Sequence, residues 1–324
     1  MTPGMIKNTL KKILLGDTVV TEYSNITIPG DDIQEKVYLA LDGHVIDVSA
    51  SHWILCIEPL VFGVWIGSEL LASPFAGKEG YRLYFNDGGT AGAGGSQLKR
   101  NAVAIVSLKC IVHIEEKSGT LLLLKMQKSS LHHFNFIKTQ LLFSRYYKKE
   151  GMPFRRFSSF VAAYSYPRRI RLVSFRQDGY FNLFPMDLLG GTPQGNRYVF
   201  GLRHTNTTLA RILETGKLAV AEIPFEQKDA VYQLAKHHSS RPPALDELPF
   251  GVVESKHFGC YIPEWATSYQ EIRIMKTLNL GSHMLMWGIP VSETVLNPPA
   301  RHLYLLHFLE YFRRKGNGLP YPLV

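Results

Sequence analysis

The residues best suited to chemistry lie in Arg203–Ile223, RHTNTTLARILETGKLAVAEI, where a strand end, a polar turn, a capped helix and a second strand follow one another. Asn206 or Thr205 can cap the helix, Leu209, Ile212 and Leu213 form its apolar stripe, and Gly216 suits the C′ position. A helix start rich in hydroxyls and amides, flanked by Arg203 and Arg211, is physically a monophosphate site, because free N–H groups and the helix dipole favour an anion. The same residues also suffice merely to cap the helix.

Two further segments share this polar character. Upstream, Leu172–Leu189 (LVSFRQDGYFNLFPMDLL) reads as a β-hairpin turning at Gln177–Gly179 and running into Asn182-Leu183-Phe184-Pro185-Met186-Asp187. Downstream, Gly281-Ser282-His283 opens a late strand continuing through Met284–Gly288. His283 is either a hydrogen-bond donor to a carbonyl or phosphate, or a satisfied strand histidine.

Other chemistries lack their residue patterns. His132-His133 and His237-His238 are adjacent pairs whose side chains point apart on a helix or a strand, and no HExxH is present, so no metal is expected. There is no GxSxG elbow for a serine hydrolase. Cys56, Cys110 and Cys260 are isolated, which argues against a disulfide framework and fits a reducing cytoplasm; Cys260 reads as a buried thiol. The glycine-rich turn Asn86–Asn101, followed by Lys99 and Arg100 at its end, lacks a P-loop or dinucleotide fingerprint and reads as a hairpin loop.

The elements that must position these residues are mostly strands. At 324 residues, with 45% apolar and 19% charged residues, the chain can bury one large or two ordinary cores. From Asp17 to about Leu124, short apolar runs such as Lys36–Leu41, Trp53–Ile57, Tyr81–Phe85 and Ala102–His113 alternate with Gly, Asp and Asn turns. Ser129–Glu150 changes to a helical period, and the domain linker is placed there. Strands are then expected at Arg169–Phe175, Tyr198–Arg203, Leu218–Ile223, Tyr269–Thr277 and His283–Val291, with a closing helix over His302–Lys315. No apolar run is long enough to span a bilayer, so a protein without a membrane is expected.

The net charge of +9 favours anionic partners. Phe154–Arg171 interleaves Arg155, Arg156, Arg168, Arg169 and Arg171 with aromatic residues, a composition that suits single-stranded nucleic acid. No RNP, KH or helix-turn-helix signature accompanies it, so a basic linker or domain rim is the simpler reading and nucleic acid is not the expected partner.

Taken in order, Asn182–Asp187, Asn206-Thr207-Thr208-Leu209-Ala210-Arg211-Ile212 and Gly281-Ser282-His283 resemble the flavin-reductase-like family. In that family a DG hairpin, an N-x-x-P-x-S loop, an S-x-T-x-x-x-I helix start and a late Gly-x-His enclose FMN. The resemblance covers about Pro167 to Tyr321. It implies a mainly β fold with short helices: an FMN-binding split β-barrel over 151–324, beside a β-rich domain of unknown type over 1–150. That first domain is conceivable as a degenerate second barrel, although Ile46–Ser51 carries no family motif.

Carried onto this chain, the resemblance implies that Thr205, Asn206 and Thr208, with Arg203 and Arg211, bind the phosphate. Asn182 and the segment Phe184, Pro185, Met186, Asp187, Leu188 and Leu189 would line the isoalloxazine, and His283 would be the catalytic candidate beside the flavin or nicotinamide. It further implies NADH or NADPH as co-substrate and a homodimer, since family members build the site from two subunits. Asp187 replaces the family's serine; an ionised carboxylate would repel phosphate, so it either points away or contacts another flavin group. The competing reading is a flavin-free barrel that binds anions or nucleic acid through its basic rim.

Overall fold

The computed structural model describes residues 25–30, 33–70, 80–87, 95–148, 151–235 and 241–316. Strand β1 (Asn25–Gly30) precedes β2 (Lys36–Leu41), β3 (His44–Asp47), β4 (His52–Ile57), β5 (Leu60–Gly67), β6 (Tyr81–Asn86), β7 (Ala102–Glu116) and β8 (Gly119–Leu131). Helix α1 (Gly95–Asn101) lies before β7, and α2 (Phe136–Tyr146) and α3 (Phe154–Ala163) follow β8. Next come β9 (Arg168–Arg169), β10 (Arg171–Gln177), β11 (Tyr180–Met186), β12 (Leu189–Gly191) and β13 (Tyr198–Arg203). Helix α4 (Leu209–Thr215), β14 (Lys217–Glu222) and α5 (Lys228–Ala235) lead to β15 (Val252–Glu254), β16 (Tyr261–Pro263), β17 (Ser268–Asn279) and β18 (His283–Val295). The described chain closes with β19 (His302–His307) and α6 (Phe308–Gly316).

Fourteen of these strands form two seven-stranded antiparallel sheets, ordered β3-β2-β6-β7-β8-β5-β4 and β11-β10-β14-β17-β18-β13-β12, and the others form β1-β19-β9 and the pair β15-β16. The fold is mainly β with short helices. Burial along β7 shows how sequence sets exposure: its first residues are buried, then burial alternates from Lys109 onward, as in a strand with one face in water. The sheets meet through β4, which lies against β12, β13 and β18. Trp53, Leu55, Cys56, Val61 and Trp65 of the first sheet share one buried cluster with Val199, Leu285 and Trp287 of the second.

Two glycines permit this close approach. A Cβ on Gly201 would collide with the backbone of Leu55, and one on Gly190 with the Trp53 indole. Ala162, Ala163 and Tyr164, at the end of α3, insert into the core of the first sheet.

Several sequence expectations need correction. The helical stretch of Ser129–Glu150 begins only at Phe136, because Ser129–Leu131 still pair with β7. His302–His307 is a strand rather than the first half of a helix, since it pairs with β1 on one side and β9 on the other. The Arg-rich stretch is not an exposed rim. Arg168 is buried, and Arg169 and Arg171 are half-buried and ion-paired to Glu222 at 2.8 and 2.6 Å; only Arg155 and Arg156 are exposed. Residues 88–94 of the glycine-rich turn, and His237-His238, lie outside the described residues, while Gly95–Asn101, expected as hairpin loop, is helix α1.

Beneath α6 two histidines are buried as neutral rings. His307 Nδ1 accepts the Leu309 N–H at 3.1 Å, while its Nε2 lies 2.9 Å from the Tyr147 hydroxyl. His133 Nε2 contacts Ser165 Oγ at 3.1 Å and Glu310 at 3.3 Å, but Glu310 is already held by Arg313 at 2.6 Å. Desolvation, helped by Arg313 and His132, lowers His133 to about 3; desolvation, then His133, puts His307 well below the usual imidazole value of 6.5.

Unfolding frees both rings to take protons at 6.5, so their contribution is intact above that pH and is lost as pH falls toward the folded values. Stability is expected to drop by about 2 kcal/mol per histidine by about pH 5. Urea titrations at about pH 7.5 and 5 check this; equal unfolding midpoints would refute it.

Candidate functional site

The hairpin β10–β11 turns at Asp178 (φ 50°) and Gly179 (φ 76°), both left-handed, as a tight two-residue turn requires. Its return strand carries Asn182, whose Nδ2 donates to Thr208 Oγ1 at 2.7 Å, while the Tyr180 hydroxyl lies 2.9 Å from the same oxygen. These bonds fasten the loop motif to the helix motif. Thr208, not Asn206 or Thr205, occupies the N-cap position, and its side chain makes no capping bond to the helix. Asn206 Oδ1 instead accepts the Thr208 N–H at 2.9 Å. Gly216 takes the left-handed C-cap conformation that its sequence position implied.

Strands β13 and β18 pair with Arg203 directly opposite His283, so the residue opening the Arg203–Ile223 segment faces the residue ending Gly281–His283. Beside them lies a cavity of about 340 Å³, lined by Pro185, Met186, Asp187 and Leu188, by Gly201–Arg203, and by His283. Ile57 at the end of β4, Phe160 and Tyr164 from the α3 region and Ala235 at the end of α5 complete its walls. A second cavity of about 580 Å³ shares Ile57, Phe160 and Arg203 and continues past Glu58, Met126, Arg155 and Arg156. Both volumes are in the range of small-molecule sites.

The structure therefore brings Pro185, Met186, Asp187, Leu188, Arg203 and His283 to one cleft. Asn182, Phe184, Leu189, Thr205, Asn206, Thr208 and Arg211 do not line either cavity. Phe184 and Leu189 are buried in the second sheet's core, and Arg211 stacks over the Tyr180 ring at 4.3 Å. Sequence reasoning missed Ile57, Phe160 and Tyr164, which belong to no motif and reach the cleft only through packing.

His283 is buried, with Nδ1 2.7 Å from Ser282 Oγ. Ser282 is in turn gripped by the β4–β5 turn: its N–H donates to Glu58 O at 2.7 Å, and its Oγ accepts the Glu58 N–H at 3.0 Å. The first sheet thus fixes the residue beside His283.

Asp187 is half-buried as a residue, yet its Oδ2 is sealed from solvent and has no hydrogen-bond partner among the described residues. Desolvation pushes its carboxyl above the usual range, although Tyr164 donates to it and Arg168 and Arg203 attract its charge. A carboxyl raised on folding supports the fold only while protonated, and its contribution is lost as pH rises through the folded value. Asp187→Asn is therefore expected to stabilise the protein at neutral pH by about 0.5–2 kcal/mol. Thermal or chemical denaturation checks this, and a lowered midpoint would disprove it.

Three buried polar atoms in these motifs, Asn182 Oδ1, Asp187 Oδ2 and Asn206 Nδ2, have no hydrogen-bond partner among the described residues, and of the three residues only Asp187 lines a cavity. No group of three potential metal ligands occurs among the described residues.

No family model and no curated protein matches the chain. Solved structures similar to it are flavin reductases and FMN-binding proteins. An FMN-binding protein from Thermus thermophilus is 22% identical, covering 40% of this chain and 73% of its own, with a TM-score of 0.36. BorF, the flavin reductase component of a bacterial two-component tryptophan halogenase, is 14% identical, covering 46% and 92%, with a TM-score of 0.41. The Streptomyces globisporus C-1027 NADH:FAD oxidoreductase SgcE6 is 17% identical, covering 48% and 90%, with a TM-score of 0.42.

Proposed function

We propose that this chain is a flavin-reductase-like flavoprotein, a split-barrel oxidoreductase holding FMN non-covalently in the cleft beside Arg203 and His283, with NADH or NADPH as reductant. The observation that carries this reading is the convergence of three sequence-distant segments, Pro185–Leu188, Arg203 and His283, on one cavity. Pro185–Asp187 and His283 belong to two of the motifs whose order resembles the flavin-reductase-like family, and Arg203 precedes the third, Asn206–Ile212, which lies outside the cavity lining.

The flavin would supply the redox chemistry, accepting electrons from the nicotinamide and passing them on. The protein's contribution is binding and orientation. Pro185–Leu188 line the cavity wall on which a planar ring would rest. Arg203 supplies the cationic side of the cleft, suited to a phosphate; Thr205, Asn206, Thr208 and Arg211 lie on the adjoining turn and helix start and line neither cavity, with Asn206 and Thr208 buried. Arg155 and Arg156, the latter paired with Glu58, add positive charge along the second cavity, where the phosphates of a nicotinamide nucleotide would lie. Asp187, whose carboxyl desolvation raises above the usual range, offers Oδ2 as an acceptor for a polar ring edge.

The rival reading loses its main support, because Arg168, Arg169 and Arg171 are withdrawn from the surface. Among the described residues no helix is long and apolar enough to cross a membrane. The deciding measurement is the visible absorbance of the purified protein after incubation with FMN and desalting, followed by anaerobic titration with NADH and NADPH. Retained flavin bands that bleach with one nucleotide are expected. A protein that remains colourless and binds single-stranded nucleic acid in a salt-dependent way would reverse the assignment.

A further inference from the structure

The two seven-stranded sheets are the same sheet built twice. Matching strands in chain order, β2 to β10, β3 to β11, β4 to β12, β5 to β13, β6 to β14, β7 to β17 and β8 to β18, converts one spatial order into the other without exception. Local detail follows. Each first hairpin turns on Asp-Gly with the aspartate left-handed, Asp42 at φ 49° and Asp178 at φ 50°. Equal lengths of chain separate Asp42 from Gly67 and Asp178 from Arg203. Past those strand ends, Ser68 N–H donates to Ser118 O at 3.0 Å, and His204 N–H donates to Ser282 O at 3.2 Å.

This correspondence identifies what the first sheet holds at each site position. Gly67, paired to Gly119, stands where the second sheet has Arg203 paired to His283. Ile46 and Ser49 stand for Asn182 and Pro185, and Ser51 for Asp187. Trp65 stands for Gly201, and its indole stacks on Trp287 with centroids 5.6 Å apart, filling the seam on that side. Arg197, from the β12–β13 turn, meets Glu116 at 3.0 Å beside Gly119, mirroring the way the β4–β5 turn grips Ser282.

We propose that the first sheet is a built-in second subunit: one copy of the chain forms the complete cleft and holds a single ligand at Arg203 and His283, and the mirrored position at Gly67 and Gly119 holds none. The identity of that ligand as FMN rests on the functional reading above; the fused-pair assignment rests on the repeated sheet alone. The homodimer that the family resemblance implies is then unnecessary, because Ile57 and the Glu58 turn already supply the second wall.

Native mass spectrometry of the full chain, with and without FMN, tests this. The expected result is a 36.7 kDa species that takes up one FMN. Two FMN per chain, or a cleft competent only in a species of twice that mass, would overturn it. A monomer taking up no FMN removes the flavin reading and leaves the fused pair supported by its mass. Ile57→Asp is expected to weaken FMN binding at least about tenfold with an unchanged melting temperature, whereas Arg197→Ala at the mirrored turn leaves it unchanged. Equal losses in both variants would contradict a single site.

Discussion

Replacing Gly201 with valine is expected to lower stability by about 3 kcal/mol and to abolish the proposed FMN binding. Gly201 lies on β13 between the cleft and the first sheet, and its N–H donates to Leu188 O at 2.8 Å. The atoms a Cβ would meet are the carbonyl oxygen, carbonyl carbon and Cα of Leu55, all backbone. No rotamer change can relieve such a clash; β4 itself must move, and with it Ile57 and the Glu58 turn that hold Ser282. Alanine at this position already introduces the offending atom, so Gly201→Ala should show most of the effect. Denaturant titration and retained flavin absorbance check both variants, and wild-type values in each would show that the sheets do not need this contact.

Glu271→Ala is expected to cost about 3–5 kcal/mol while leaving flavin affinity largely intact in the folded fraction. The Glu271 carboxylate is buried on β17 and lines neither cavity. It accepts from Ser255 Oγ at 2.7 Å, Ser292 Oγ at 2.6 Å, Phe258 N–H at 2.6 Å and His257 N–H at 3.0 Å. Burial alone would raise its pKa, but these donors outweigh desolvation and hold it below the usual carboxylate range. Its stabilisation is therefore present above the unfolded value of 4.5 and is lost as pH falls toward the folded one. Alanine strands two hydroxyls and two N–H groups at once, and Glu271→Gln, which keeps an acceptor, should recover part of the loss. Chemical denaturation of the two variants gives the measurement; identical midpoints for Ala and wild type would refute the account.

The pattern of strands was legible in the sequence because sheet residues obey a local rule, apolar runs bounded by glycine and aspartate turns. The hairpin at Asp178-Gly179, helix α4 with its Gly216 cap, and the strand that opens at His283 are all consequences of side-chain type over a few neighbouring residues. So was the chemical character of the cleft, since Asp187, Arg203 and His283 stand out by type.

Long-range pairing was not legible. His302–His307 has helical periodicity, yet two strands distant in sequence offer it hydrogen bonds, and tertiary context overrides local preference. The buried arginines look like a solvated patch until Glu222 is brought between Arg169 and Arg171. The internal repeat was hidden for a related reason: backbone pairing preserves strand order and turn geometry, but places no constraint on the side chains at Ile46, Gly67 and Gly119, where the site residues would be. The sequence by itself determined which residues could do chemistry and on which strands they lie. Only the tertiary structure decided that they share a cleft, that Ile57 and Tyr164 help enclose it, and that its second wall comes from the same chain, because each of these depends on contacts between segments that no local rule connects.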